Sequence, residues 1–365
     1  MTFQKDCLVF LLLLALNPFI VNGQTVNKDT IKEKKSFLAA YPFIFYLPET
    51  RLGFGGAGVY TYFPGKQKSD RASLWQLGAA YTLNKQILLY ASYQLFLRQN
   101  RTELSGEIGY YDYVYPYYGL GNNTIFEKEE KYYASFPRIN ITYLERLNKY
   151  FRAGLLVKFD NFNISKIEDG GLLALENPIA RTGGMVLNTG AVLRYDSRDH
   201  IFQPTKGLYA TLELLSTSKA LGNKFPYREL NLNIAGYYLL KKKHILAYQV
   251  VLGLQYGEVP FYKLMNLGGP KMNRGIIEGR FRDKNRILGQ IEYRFPISKR
   301  FAGVAFVSAG RVDSKLDQLF QSTFHYNYGA GLRFVLDKEN QLRMRLDIGL
   351  GSDKPAFYLT VGEAF

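Results

Sequence analysis

Apolar and polar residues alternate with a period of two through almost the whole chain, and that period decides the backbone. In the last ten residues, Phe357, Leu359, Val361 and Phe365 fall on one face of an extended segment, and Tyr358, Thr360 and Gly362 on the other. Successive side chains of a strand point to opposite faces, so strict alternation reads as strand and not helix. In Leu342–Gly351 the apolar face is Met344, Leu346, Ile348 and Leu350, opposite Arg343, Arg345 and Asp347. In Arg286–Phe295 it is Ile291, Tyr293 and Phe295, opposite Gln290, Glu292 and Arg294. In Phe324–Leu336, Tyr328, Leu332, Phe334 and Leu336 oppose Asn327 and Arg333. Such strands build either a soluble sandwich, apolar faces inward, or a membrane barrel, apolar faces outward.

The start of the chain separates these two. Lys5 precedes an apolar run, Leu8–Leu16, and Val21 and Gly23 are small enough for a cleavage site. That is the layout of a secretory signal over residues 1–23, with Gln24 as the expected mature start. Cys7, the single cysteine, lies inside the signal, so disulfides, thiolate metal sites and cysteine nucleophiles are excluded from the mature protein. No later stretch reaches the ~18 apolar residues of a spanning helix. The 29 Tyr and 26 Phe suit strands with aromatic girdles at two membrane interfaces, and the terminal Phe365 suits the closing strand of a bacterial outer-membrane barrel. The fold class is therefore all-β: a transmembrane antiparallel barrel in the outer membrane.

Sixteen strands are predicted: Ala39–Leu47, Gly53–Phe63, Ser73–Tyr81, Ile87–Leu97, Glu103–Val114, Tyr132–Leu144, Phe151–Phe162, Met185–Asp196, Gly207–Thr217, Arg228–Leu240, Ile245–Gln255, Arg286–Phe295, Phe301–Arg311, Phe324–Leu336, Leu342–Gly351 and Ala356–Phe365. Pro42 removes one ladder donor from the first. With both termini in the periplasm, residues 115–131, 163–184 and 256–285 fall on the outer side, as long loops should. Residues 24–38, with Lys28, Lys32, Lys34 and Lys35, are left as a short periplasmic tail, and 39–365 as the barrel.

The segment LGGPKMNRGIIEGRFRDKNRILGQIEYRFP, Leu267–Pro296, resembles the sixth outer loop and twelfth strand of the BamA/TamA family of outer-membrane assembly proteins, also called the bacterial surface antigen family. Its Arg-Gly-aromatic signature is here Asn273-Arg274-Gly275-Ile276. Leu193–Gly207 is similar to the family's Tyr-Asp-Thr-Arg-Asp and Pro-x-Lys-Gly segment, and Tyr328–Arg333, Arg345–Gly349 and the end at Phe365 to its closing strands. The resemblance implies that the sixth loop folds into the lumen and that Arg274 is held there by acids on the inner wall. Glu292 matches the twelfth-strand acid. The thirteenth-strand pattern, Phe-x-Asp-x-Gly, reads Phe306-Val307-Ser308-Ala309-Gly310, so one expected anchor has become Ser308. Either Glu292 holds Arg274 alone or Asp347 substitutes. Residues 24–38 are too few for the POTRA domains that receive substrate in family members, so a barrel-only member is expected.

Other constellations yield to structural readings. Asp196, Ser197 and His200 sit at a strand end inside the family-like segment, and catalysis needs nucleophile and base to converge. Three scattered histidines make no metal motif. Gly53, Gly55 and Gly58 spell GxGxxG, but no alternating βα pattern follows. The cluster Tyr110, Tyr111, Tyr113, Tyr115, Tyr117 and Tyr118 is assigned to the outer aromatic girdle. The net charge of +16 fits basic lumen or loop groups facing lipopolysaccharide and phospholipid phosphates, or solvated turns; the secretory signal removes nucleic acid as a partner. The expected role is non-enzymatic and cofactor-free: insertion, translocation or organisation of outer-membrane components, with protein clients or a separate periplasmic partner. First and last strands would meet at a seam weakened by Gly362, able to template an incoming strand. A passive, anion-preferring pore lined by Arg333, Arg343 and Arg345, and a bare scaffold for a partner, are the competing expectations.

Overall fold

The computed structural model describes residues 36–47, 51–64, 71–321, 323–337, 342–351 and 354–365. The expected signal and most of the expected tail lie outside these residues. Sixteen strands form one antiparallel sheet, each paired with its neighbours in chain order. They are β1 (Phe37–Leu47), β2 (Arg51–Tyr62), β3 (Ser73–Thr82), β4 (Ile87–Leu97), β5 (Thr102–Tyr117), β6 (Glu130–Arg146), β7 (Phe151–Lys166) and β8 (Gly183–Asp196). There follow β9 (Gly207–Ser216), β10 (Tyr227–Lys241), β11 (His244–Gly257), β12 (Asn285–Pro296), β13 (Phe301–Asp313), β14 (His325–Asp337), β15 (Leu342–Leu350) and β16 (Ala356–Val361). Every strand expected from the alternation is present. β1 begins at Phe37 instead of Ala39, and β5 and β6 run beyond their expected ends at the long-loop side.

The alternation is physical. On β12, Gln290, Glu292 and Arg294 are buried, whereas Ile291 and Tyr293 are exposed. On β14 and β15, Asn327, Arg333, Arg345 and Asp347 are buried, and Tyr328, Leu332 and Leu346 are exposed. An apolar exterior around a charged interior inverts a soluble sandwich and suits a wall surrounded by lipid. The ladders satisfy the backbone groups that hydrocarbon cannot.

The connection between β11 and β12, residues 258–284, does not project outward. It crosses the lumen. Its own short ladder pairs Met265 with Asp283 and Asn266 with Arg282. At its base Phe261 packs edge-on against Tyr117 of β5 and Tyr132 of β6, with ring centroids 5.7 and 5.3 Å apart. Arg282 Nη2 donates to Pro116 O at 3.1 Å. This corrects the aromatic-girdle assignment. Tyr110 is exposed, but Tyr117 and Tyr118 are buried, and Tyr111 stacks on Phe136 in a core that the lumenal loop completes.

Two further expectations change at the end of the chain. β16 stops at Val361, not Phe365. Gly362 adopts φ +90°, a left-handed conformation that glycine enters without a Cβ penalty, and it turns the chain inward. Phe365 therefore leaves the lipid-facing row and packs beside Tyr237, its ring centroid 5.5 Å from the Arg294 guanidinium. The strand order runs from β1 to β16, with no ladder between those two among the described residues.

Candidate functional site

Residues 273–276 form the loop's tip. Ile276 N donates to Asn273 O at 3.0 Å, closing a tight turn, and Asn273 and Gly275 have φ of +50° and +114°. Glycine at 275 is required twice. Its φ disfavours any side chain, and a Cβ there would stand 2.8 Å from Leu350 N on β15. The opposing residue is Gly349, where a Cβ would meet Arg274 C and O at 2.4 Å. Backbone thus lies on backbone, and the tip reaches the wall because neither partner has a side chain. Ile276, in the place of the family's aromatic, is fully buried with Leu267, Phe281, Leu288 and Val312.

Turned this way, Arg274 points into a fully enclosed site. Its Nη1 donates to Asp347 Oδ2 of β15 at 2.6 Å, and its Nη2 to Glu292 Oε2 of β12 at 2.5 Å. Its guanidinium carbon lies 3.7 Å from the ring centroid of Phe306 on β13. Arg274, Glu292 and Asp347 all have 0% side-chain exposure. Two carboxylates and a ring face satisfy a planar cation from three sides, which compensates its desolvation. Of the two alternatives the sequence left open, the structure has Asp347 acting beside Glu292.

Ser308 lies near but does not touch the guanidinium. Its Oγ donates to Asn327 Oδ1 at 2.8 Å, and Asn327 Nδ2 donates to Arg274 O at 2.6 Å. Ser308 therefore orients an amide that holds the loop backbone. Tyr358 on β16 adds a second backbone clamp, accepting from Gly275 N at 3.1 Å.

The network extends toward the short-turn mouth. Arg294 Nε donates to Glu292 Oε1 at 2.6 Å, and Arg333 Nη1 to Asp347 Oδ1 at 2.5 Å. Arg333 Nε donates to Glu363 Oε2 at 2.8 Å, and Arg343 lies 3.8 Å from the same carboxylate. Arg345 donates to Thr360 Oγ1 and to Pro270 O, both at 2.8 Å. Sequence reasoning missed Glu363, Asn327, Tyr358 and Gly349. A signal for Glu363 existed: inward arginines outnumber inward acids on the last strands, and Gly362 precedes the one carboxylate able to turn in.

The Leu193–Gly207 segment builds a turn. Asp196 accepts from Arg198 Nε at 2.9 Å and Arg71 Nη1 at 3.3 Å. Asp199 caps the turn by accepting from Thr205 N at 2.9 Å. Ser197 Oγ accepts from Leu208 N at 3.0 Å, with no hydrogen bond to His200 among the described residues. His244 and His325 lie apart, on Tyr293 OH and Asn122 O.

Comparison with known proteins agrees with this architecture. Residues 66–365 match the Omp85 superfamily domain. BamA from Haemophilus ducreyi lacking POTRA domains 1–3 superposes with a TM-score of 0.56 at 15% identity, over 89% of this chain and 69% of that one. CdiB from Acinetobacter baumannii superposes with a TM-score of 0.51 at 13% identity, over 88% of this chain and 56% of that one. No curated protein matches the chain.

Proposed function

The chain belongs to the Omp85 superfamily of outer-membrane β-barrels, and from that premise we propose that it acts without catalysis in inserting, translocating or organising outer-membrane components. One observation carries the reading: the lumen is filled by a loop fixed to its inner wall, while the sheet ends in two edge strands, β1 and β16, each laddered on one side only and not to each other among the described residues. A plugged lumen is poorly suited to passive conduction. An unpaired strand edge is a template for β-augmentation, because its N–H and C=O groups lie ready for an incoming strand. Arg274, held by Glu292 and Asp347, keeps the loop out of that strand's path and stiffens the arc that ends in β16. Both termini face the periplasm, and lipopolysaccharide and membrane-protein clients are the expected contacts.

Two readings test this. Proteoliposomes of the protein should speed folding of a urea-denatured small outer-membrane barrel relative to empty liposomes. A photo-crosslinking residue at Phe357, exposed on β16, should capture that client, whereas one at the equally exposed Ile291 in mid-sheet should not. Equal capture at both positions, or no acceleration, would refute the edge mechanism. Steady, salt-selective single-channel currents from the intact protein would favour the pore.

A further inference from the structure

At the short-turn mouth, below the Arg274 network, lies a cavity of about 400 Å³. Its wall includes Ile245, Arg294, Ala302, Val335 and Arg343. Ladder register puts all five on the inner face: Ile245 pairs with Arg294, Ala302 with Arg333, and Val335 with Arg343. The cavity therefore reaches into the lumen's end, with Phe295 and Phe301 of the outer row at its border. Lys243, Lys299 and Arg300 stand on its rim, all exposed and none within 4 Å of a carboxylate among the described residues.

Five cations thus face one another around the space. The single carboxylate in its lining, Asp199, is occupied with its own turn, accepting from Thr205 N, His200 N and Lys206 N. In the floor, Arg294 Nη1 and Arg343 Nε are buried and donate to no protein acceptor. Buried guanidinium N–H groups ordinarily find acceptors, and leaving them unmade costs free energy. Neither atom has surface open to the cavity, and the two side chains already lean on Glu292 and Glu363, so the attraction rests on the rim, whose charge would draw an anionic group in.

We infer that this cavity binds the carboxylates of an acidic polypeptide segment entering from the short-turn side. Its volume admits a few side chains but not a folded domain. Its place inside the wall puts the floor beyond a bilayer headgroup. Cations spread from rim to floor match several carboxylates in series better than one small ion. The site shares no residue with the edges β1 and β16, so it stands or falls separately from the proposed templating.

The test uses the full chain in detergent and a fluorescein-labelled hexaglutamate peptide, read by anisotropy, with inorganic phosphate and hexalysine as comparison probes. Hexaglutamate should bind, weaken steeply with added salt, and bind about tenfold or more weakly to the K243E/K299E/R300E variant. These rim residues lie in exposed turns, so the variant should keep the wild-type melting temperature. The inference is overturned if hexaglutamate does not bind, if a normally melting triple variant binds it equally well, or if hexalysine binds as tightly. Displacement by phosphate at the same concentration as by unlabelled peptide would overturn the peptide assignment and leave a simple anion site. None of these readouts depends on client folding, so failure here leaves the assembly reading intact.

Discussion

The two ends of the wall are held by different means. In the arc β12–β16, charged side chains project inward and meet the loop: Arg274 on Glu292 and Asp347, Arg294 on Glu292, Arg333 on Asp347 and Glu363. In the arc β1–β4, no charged residue occurs within β1, β3 or β4. β2 carries Gly53, Gly55, Gly56 and Gly58, and Pro42 of β1 sits opposite Gly56. Glycine weakens a strand interior and proline removes a ladder donor. One arc is pinned from inside; the other is held by backbone pairing and modest packing. A sheet built this way should yield at its beginning before it yields at its end.

The contrast is easiest to break at Arg274. R274A removes a cation that Glu292 and Asp347 share, leaving Glu292 with Arg294 and Asp347 with Arg333, and loss of one partner from such a site costs up to about 3–5 kcal/mol. The urea midpoint in detergent should fall accordingly, and amide exchange in β12–β16 should rise to the level of β1–β4. If exchange in β12–β16 stays slow, the lock does not stiffen the arc. G349A should cost about 2 kcal/mol or more, because its methyl would enter the space of Arg274 O. Here a crystal structure or a crosslink between loop and β15 should show the tip displaced. D347N should cost about 2 kcal/mol, and adding S308D should restore part of it if a carboxylate on β13 can reach the guanidinium; unchanged stability in the double variant would show that the β15 position is unique.

A smaller effect tests the loop's base. Burial raises the Asp283 carboxyl from its ordinary value of 3.8 to about 6. The folded state then holds that proton more tightly than the unfolded chain. Its stabilising contribution is complete below about pH 4 and is lost as pH rises to about 6, by about 1 kcal/mol after allowance for partial exposure. D283N should flatten this part of the stability curve between pH 4 and 7.

Strand existence, facing and count were legible because a two-residue period survives in most wall strands, and the inward placement of Glu292 and Asp347 follows from it directly. The loop tip was legible through Arg274 and Gly275. Three features were not. Phe365 reads as one more lipid-facing residue until the left-handed Gly362 breaks the period. The tyrosines at 111, 117 and 118 read as girdle because their partners are scattered along the chain: Phe136 stacks on Tyr111, Phe261 meets Tyr117 edge-on, and Arg280 faces Tyr118. The role of Ser308 depends on cross-strand register with Asn327, which alternation alone does not fix.

Every acceptor of the Arg274 guanidinium is made after it in the chain. Glu292 follows closely, but Asp347, Gly349 and Tyr358 come from the final hairpin. The arginine cannot settle during the early stages of wall building. It must wait, hydrated, until the last two strands arrive and supply its remaining contacts. Pairing of the final hairpin and full seating of the stopper are therefore coupled, and a chain truncated before β15 would leave Arg274 with Glu292 as its one carboxylate.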